Sequence, residues 1–222
     1  MPRILPLLLT VVVVATACGG RSTEPETVPG PSRVVVRWLE AVENADAPAI
    51  SASVLEDTVA IVLAVENGLT AAQTAGLLRD GIPAPIAAEY WRSFRDEFAA
   101  FAGRPISTLT VGEERELDAG GYRYAAVQVR GSGGAESVVM ARRDPDTGVW
   151  RIDLVATLGS GFVTPLRRAF EALPADDAGR YVADAYRQAV APGLWAALGS
   201  GGFDEDFARE ALRFVEEIDP SS

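Results

Sequence analysis

From Ile106 onward the apolar residues recur at every second position, in four runs separated by short links rich in Gly and Asp. This alternation constrains the fold more than any other feature of the chain. The runs cover Ile106–Leu117, Tyr122–Arg130, Glu136–Arg143 and Val149–Thr157. Their links are Asp118-Ala119-Gly120-Gly121, Gly131-Ser132-Gly133-Gly134 and Asp144-Pro145-Asp146-Thr147-Gly148. Such links are far too short for the crossover that a parallel pair requires, so the runs predict a four-stranded antiparallel meander. In the second run Tyr122, Tyr124 and Ala126 alternate with Ala125, Val127 and Val129. In the last, Trp150, Ile152 and Leu154 face one way and Val149, Arg151, Asp153 and Val155 the other. Both faces of the sheet are apolar at its middle, which calls for cover on both sides.

Helices on either flank of the runs can supply that cover. Between Arg33 and Gly103 the period is helical: Val35, Trp38 and Val42 share a face, with Ser32 placed to cap them. Asp46 is placed to cap a second short helix and Thr70 another that ends near Asp80-Gly81. Thr58 to Val65 reads either as a buried strand or as a helix, with Ala60, Ala64, Glu56 and Glu66 favouring helix. The clearest helix follows Pro83-Ala84-Pro85 and runs to Ala102, carrying Tyr90, Trp91, Phe94, Phe98 and Phe101 in a stripe that Gly103 and Pro105 stop. Beyond the strands, helices are expected near Val163–Leu173 and Asp177–Val190, and a last one aligns Phe203, Phe207, Ala211, Phe214 and Ile218. The fold class is therefore α+β: N-terminal helices on a curved four-stranded meander, with C-terminal helices covering the sheet or its edge.

The N-terminus carries a different signal. Met1-Pro2-Arg3 is followed by an apolar run from Ile4 to Ala17, too short to span a bilayer comfortably and of the right length for a signal-peptide core. Ala15, Thr16 and Ala17 supply the small residues of a cleavage site directly before Cys18, the only cysteine. This segment resembles a bacterial lipoprotein signal. The resemblance implies cleavage before Cys18, a diacylglyceryl group on its thiol and acylation of the new amino group. Residues 1–17 are then the signal peptide and 18–32 a lipidated cysteine with a Pro- and Gly-rich tether too poor in apolar residues to fold. Residues 33–157 form the α+β body and 158–222 a helical extension. The location implied is the outer side of the cell membrane, held there through Cys18.

Composition narrows the chemistry. The 222 residues include 31 acidic and 20 basic side chains for a net charge of -11, every basic residue is Arg, and there is no His. Histidine- or lysine-based nucleophile activation, Schiff-base chemistry, a P-loop lysine and histidine zinc ligation are all excluded. Loss of the signal peptide removes one Arg and leaves 19 basic against 31 acidic residues. Such a balance opposes nucleic-acid binding and repels anionic lipid, so the acyl chains have to hold the membrane. No cofactor is expected.

Helices first, then a meander ending in Trp150-Arg151-Ile152, with Glu66-Asn67-Gly68 and Tyr90-Trp91-Arg92-Ser93-Phe94 before it, resembles the cone-shaped roll of the nuclear-transport-factor-two-like and ketosteroid-isomerase-like superfamily. With its lipoprotein signal and tether, the chain is similar to actinobacterial-type lipoproteins carrying such a roll. The resemblance implies a pocket between the long helix and the sheet, and it implies no single activity.

The expected pocket residues are Tyr90, Trp91, Phe94, Tyr122, Tyr124 and Trp150, and the expected ligand is an apolar small molecule bound without turnover. Two alternatives stand beside this. One is a protein–protein scaffold of the cell envelope. The other is an isomerase- or dehydratase-like enzyme using Asp153 with Tyr90, Tyr122 or Tyr124; strand alternation points Asp153 away from Trp150 and Ile152, against that reading. Asp144-Pro145-Asp146-Thr147-Gly148 opens like a calcium loop and reads as a hairpin turn. Gly159-Ser160-Gly161, with Arg167 and Arg168 beyond it, reads as a strand-to-helix connection, and Gly199-Ser200-Gly201-Gly202 as a loop.

Overall fold

The computed structural model describes residues 28–102, 105–131, 136–201 and 205–219. Ala15, Thr16, Ala17, Cys18, Gly103 and Phe203 lie outside them, as does the side chain of Phe101. Within them the chain is α+β, and no helix is long and apolar enough to cross a membrane.

The first helix, α1 (Pro31–Glu43), begins with Pro at its first position, where the missing N–H costs nothing. Ser32 is inside it and is not its cap; its N–H and hydroxyl both donate to the Glu114 carboxylate, at 3.0 and 2.6 Å. Then come α2 (Ala47–Ser53), which Asp46 caps through the Ala49 N–H at 3.2 Å, and α3 (Glu56–Glu66). The ambiguous run is thus helical, and it is buried nearly all round because α6 and α4 flank it, α4 being Ala71–Asp80 and α6 Leu154–Glu171. Thr70 and Gln73 close a capping box on α4. The long helix α5 spans Ala84–Ala102.

Four strands follow in the order β1 (Thr110–Ala119), β2 (Tyr122–Arg130), β3 (Glu136–Arg143) and β4 (Trp150–Ile152), each antiparallel to the next. Two ends differ from the alternation. Ile106–Thr108 is a 3-10 turn and not strand, because Ile106 is buried and its N–H is held by the Glu43 carboxylate at 2.9 Å. The fourth strand stops at Ile152 and not Thr157. Asp153 turns the chain by accepting the Ala156 N–H at 2.9 Å, which makes it the N-cap of α6.

That cap moves everything after it. Gly159-Ser160-Gly161 is the interior of α6 and no connection, and a boundary after Thr157 falls inside the same helix. After α6 come α7 (Asp177–Ala185), a π-helical turn over Tyr186–Val190, α8 (Ala191–Ser200), which contains Gly199 and Ser200, and α9 (Glu205–Ile218). Small residues let α8 approach α6 closely: a methyl group on Gly159 would sit 3.0 Å from the Ala197 methyl, and one on Gly193 3.1 Å from Val155.

The sheet is covered on both faces. Ala125, Val127, Val139, Ala141 and Ile152 pack with Val35, Trp38 and Val42 of α1, which touches all four strands. Tyr124, Ala126 and Met140 pack on the other face with Ala156 of α6 and Ala196 of α8. Arg115 of β1 fastens the end of α8 by donating to the Gly199 carbonyl at 3.0 Å and to that of Ser200.

Candidate functional site

The six aromatic residues expected around one pocket stand in three places. Tyr90, Trp91 and Phe94 form a cluster on α5, with ring centroids 4.9 Å apart for Tyr90 and Trp91 and 5.4 Å for Trp91 and Phe94. Trp91 is buried in the core, while Tyr90 and Phe94 are partly open. Tyr122 and Tyr124 belong to the opposite face of the sheet. Trp150 lines a separate groove against α1 and α2. The separation has a simple cause: α5 packs on α1 and α2, and it is α1 that lies on the sheet.

The open space beside Tyr90 and Phe94 lies instead between α3, α4 and α5. It is a groove of about 650 Å³ whose apolar wall is Leu63, Leu69, Leu77, Ile86 and Phe94. On α5 its lining residues recur every three or four positions, through Ile86, Glu89, Tyr90, Ser93, Phe94 and Glu97, so one helix face builds one wall. Glu66 and Asn67, at the end of α3, stand opposite.

The electrostatics of this groove are one-sided. Its lining holds the carboxylates of Glu66, Glu89 and Glu97 and no Arg. Among the described residues none of the three has an ion-pair partner; Glu97 accepts only a weak bond from the Ser93 hydroxyl at 3.4 Å. Two basic side chains on these helices are engaged elsewhere: Arg79 lies over the Tyr181 ring, 5.5 Å from its centroid, and Arg95 pairs with Asp96 at 2.7 Å; Arg92 of α5 is exposed and does not line the groove. Burial, and then the charge of Glu97, raise the Glu66 carboxyl above its ordinary range. Burial, with Glu66 and Glu97 adding to it, keeps the Tyr90 phenol protonated far above its ordinary value. Its oxygen is buried and makes no hydrogen bond, which leaves this wall without internal polar complementarity.

A second cluster is closed. Asp153 is fully buried; it accepts from the Tyr124 hydroxyl at 3.1 Å and lies 4.0 Å from the Arg142 guanidinium, which also reaches Asp57 at 3.7 Å. Arg142 lies over the Tyr122 ring, 4.7 Å from its centroid. Burial pushes the Asp153 carboxyl up to about 6, against the opposing pull of Arg142, the Ala156 N–H and Tyr124. Burial alone would lower the Arg142 pKa; Asp153, Tyr124 and Asp57 reverse this and hold it above its ordinary value. Strand alternation missed this constellation because Asp153 is a helix cap and no longer a strand residue. It is a buried acid beside a Tyr hydroxyl, the pairing that an isomerase-like reading requires, but it lines neither the groove between α3, α4 and α5 nor the Trp150 groove.

In the Trp150 groove, of about 660 Å³, three polar side chains are already engaged, since Asn44 donates to the Glu40 carbonyl, Asp46 caps α2 and Ser53 donates to the Ala49 carbonyl; its other charged side chains, Arg37 and Glu40, are of opposite sign. The turn at Asp144 likewise satisfies itself, its carboxylate accepting the N–H groups of Asp146 and Thr147 at 3.0 and 2.8 Å. Comparison with protein-family models, curated proteins and solved structures returns no match, so function has to be argued from this geometry.

Proposed function

We propose that the protein is a lipid-anchored module on the outer side of the cell membrane that binds a small molecule, without turning it over, in the groove between α3, α4 and α5. The observation that carries this reading is the groove itself: a small-ligand volume with an aliphatic and aromatic wall, unpaired carboxylates and an unbonded buried phenol. The anchor rests on Ala15-Thr16-Ala17-Cys18 and on the Pro-rich segment that follows. Non-catalytic binding is supported by the enclosure of Asp153: a general base has to reach its substrate, and this one is enclosed by Tyr124, Arg142 and the start of α6.

Ile86 supplies the test. It stands on the groove wall with 44% of its surface exposed, so a longer side chain is accommodated without disturbing the core. Ile86→Arg places a guanidinium among three carboxylates and fills the groove from within. Phenylbutanol should raise the melting temperature of the mature protein, held in phosphatidylcholine nanodiscs, and leave that of Ile86→Arg unmoved. Equal shifts in both proteins, or none in either, would contradict the assignment.

A further inference from the structure

The groove is electrostatically unfinished, and this points to the kind of head group its ligand carries. We infer that the occupant is a small organic cation: a primary ammonium or guanidinium on an apolar body. This rests on the binding reading above and narrows it.

Three observations converge. First, Glu66, Glu89 and Glu97 share the lining with five apolar side chains, and among the described residues nothing neutralises them. Like charges gathered beside apolar surface disfavour one another's ionised form, and the partly covered Glu66 carboxyl is raised by this desolvation and then by Glu97. A bound cation has the opposite effect. Secondly, the aromatic cluster is at the same place: Tyr90 and Phe94 both line the groove, and Phe98 stacks on Phe94 with centroids 5.9 Å apart. Ring faces attract an ammonium or guanidinium as well as an apolar chain, so one wall serves both halves of the ligand. Thirdly, the arginines of α5 that stand near in sequence do not line the groove. Taking 100° per residue, Arg95 lies on the side away from Tyr90, Ser93 and Glu97; Arg92 lies about 140° from Glu97 and about 60° from Glu89, beside the groove face, and does not line the groove. The chain places no cation of its own among the described lining residues, in a protein with 20 arginines.

The volume favours a small molecule over a protein segment, since about 650 Å³ falls within the range of small-ligand sites. An anionic ligand, a fatty acid or a phosphate ester, would meet three carboxylates and no counter-charge.

Three probes with one apolar body and different heads separate these possibilities: phenylbutylamine, phenylbutanol and phenylbutyrate. Each is titrated by calorimetry into the mature lipidated protein in phosphatidylcholine nanodiscs, with empty nanodiscs as reference. The amine should bind about tenfold more tightly than the alcohol at low salt, the carboxylate weakest, because one charge pair near a surface outweighs the lost hydration by roughly this factor. Added salt should narrow the gap. Glu66 and Glu97 are exposed and form no ion pair among the described residues, so the Glu66→Gln/Glu97→Gln protein should fold normally and bind the amine no better than the alcohol. An amine that binds wild type no tighter than the alcohol overturns the cation inference while leaving the binding groove intact. So does a preference that survives the double substitution. If no probe binds, the binding reading itself fails and the inference falls with it.

Discussion

The Tyr124 hydroxyl donates to the Asp153 carboxylate at 3.1 Å across the junction of β2 and the start of α6, both residues being fully buried. The same carboxylate caps α6, so one side chain ends the last strand, starts a helix and balances Arg142. Because burial raises Asp153 to about 6 from 3.8, the folded protein holds this proton more readily than the unfolded chain does. The linkage sign follows: Asp153 detracts from stability above about 6 and ceases to do so as pH falls towards 3.8. Asp153→Asn keeps the cap and cannot titrate. In urea unfolding, wild type should therefore gain stability relative to Asp153→Asn as the pH falls through that interval. A difference that stays flat with pH would show that the buried cluster does not titrate this way.

Tyr124→Phe removes a bond that favours the carboxylate, leaving it more exposed to the cost of burial. The variant should lose about 1 kcal/mol at neutral pH, with the pH-dependent gain beginning higher than in wild type. Unchanged stability together with an unchanged pH profile would mean that the hydroxyl is not bonded to Asp153 in solution.

The last described helix, α9, belongs to the folded body. Phe214 of α9 is fully buried, its ring centroid 5.9 Å from that of Phe170 and 6.4 Å from that of Tyr186. Phe214→Ala should cost roughly 3 to 5 kcal/mol in urea unfolding, the range for emptying a buried aromatic site. A loss under about 1 kcal/mol would mark α9 as separable from the core.

Gly179 is fixed by space. A methyl group there would come within 1.8 Å of the Pro174 carbonyl oxygen, and backbone cannot yield as a side-chain tip does. Gly179→Ala should lower the melting temperature sharply, although alanine is ordinarily the better helix former. A neutral or stabilising result would contradict the close turn between α6 and α7.

The extent of β2 and β3 was legible from alternation and the links between the runs, because the middle of both strands meets packed helices on both faces. The caps at Asp46 and Thr70 were legible for a local reason, since each bond closes within three residues. Asp153 was not. Leu154, Val155 and Ala156 continue the apolar run, and Gly159, Ser160, Gly161 and Pro165 all weaken a helix; packing against α8 through Gly159 and Gly193 makes α6 helical despite them. Half of the candidate groove was visible as the Tyr90 and Phe94 stripe. Its acidic half was not, because Glu66 is brought to Glu97 by the packing of separate helices, and no spacing within one segment records that. Glu89, Ser93 and Glu97, one turn apart beside the aromatic stripe, were the available signal.

Cys18→Ser tests the anchor. Two or more acyl chains, at about 0.8 kcal/mol per buried methylene, hold a protein to a membrane effectively permanently, and an acidic body offers the bilayer no other attraction. The variant should leave the membrane fraction or keep its signal peptide. A membrane-bound product with the mature mass would rule out Cys18 as the attachment point.

Native mass spectrometry of the protein released from its own membrane tests the combined claim of anchor and binding groove most directly. The spectrum should show a chain beginning at Cys18 with added lipid mass, carrying a non-covalent small molecule that dissociates with a positive charge and is absent from Ile86→Arg prepared in the same way. A chain with no lipid on Cys18, or a bound species retained in full by Ile86→Arg, would contradict it.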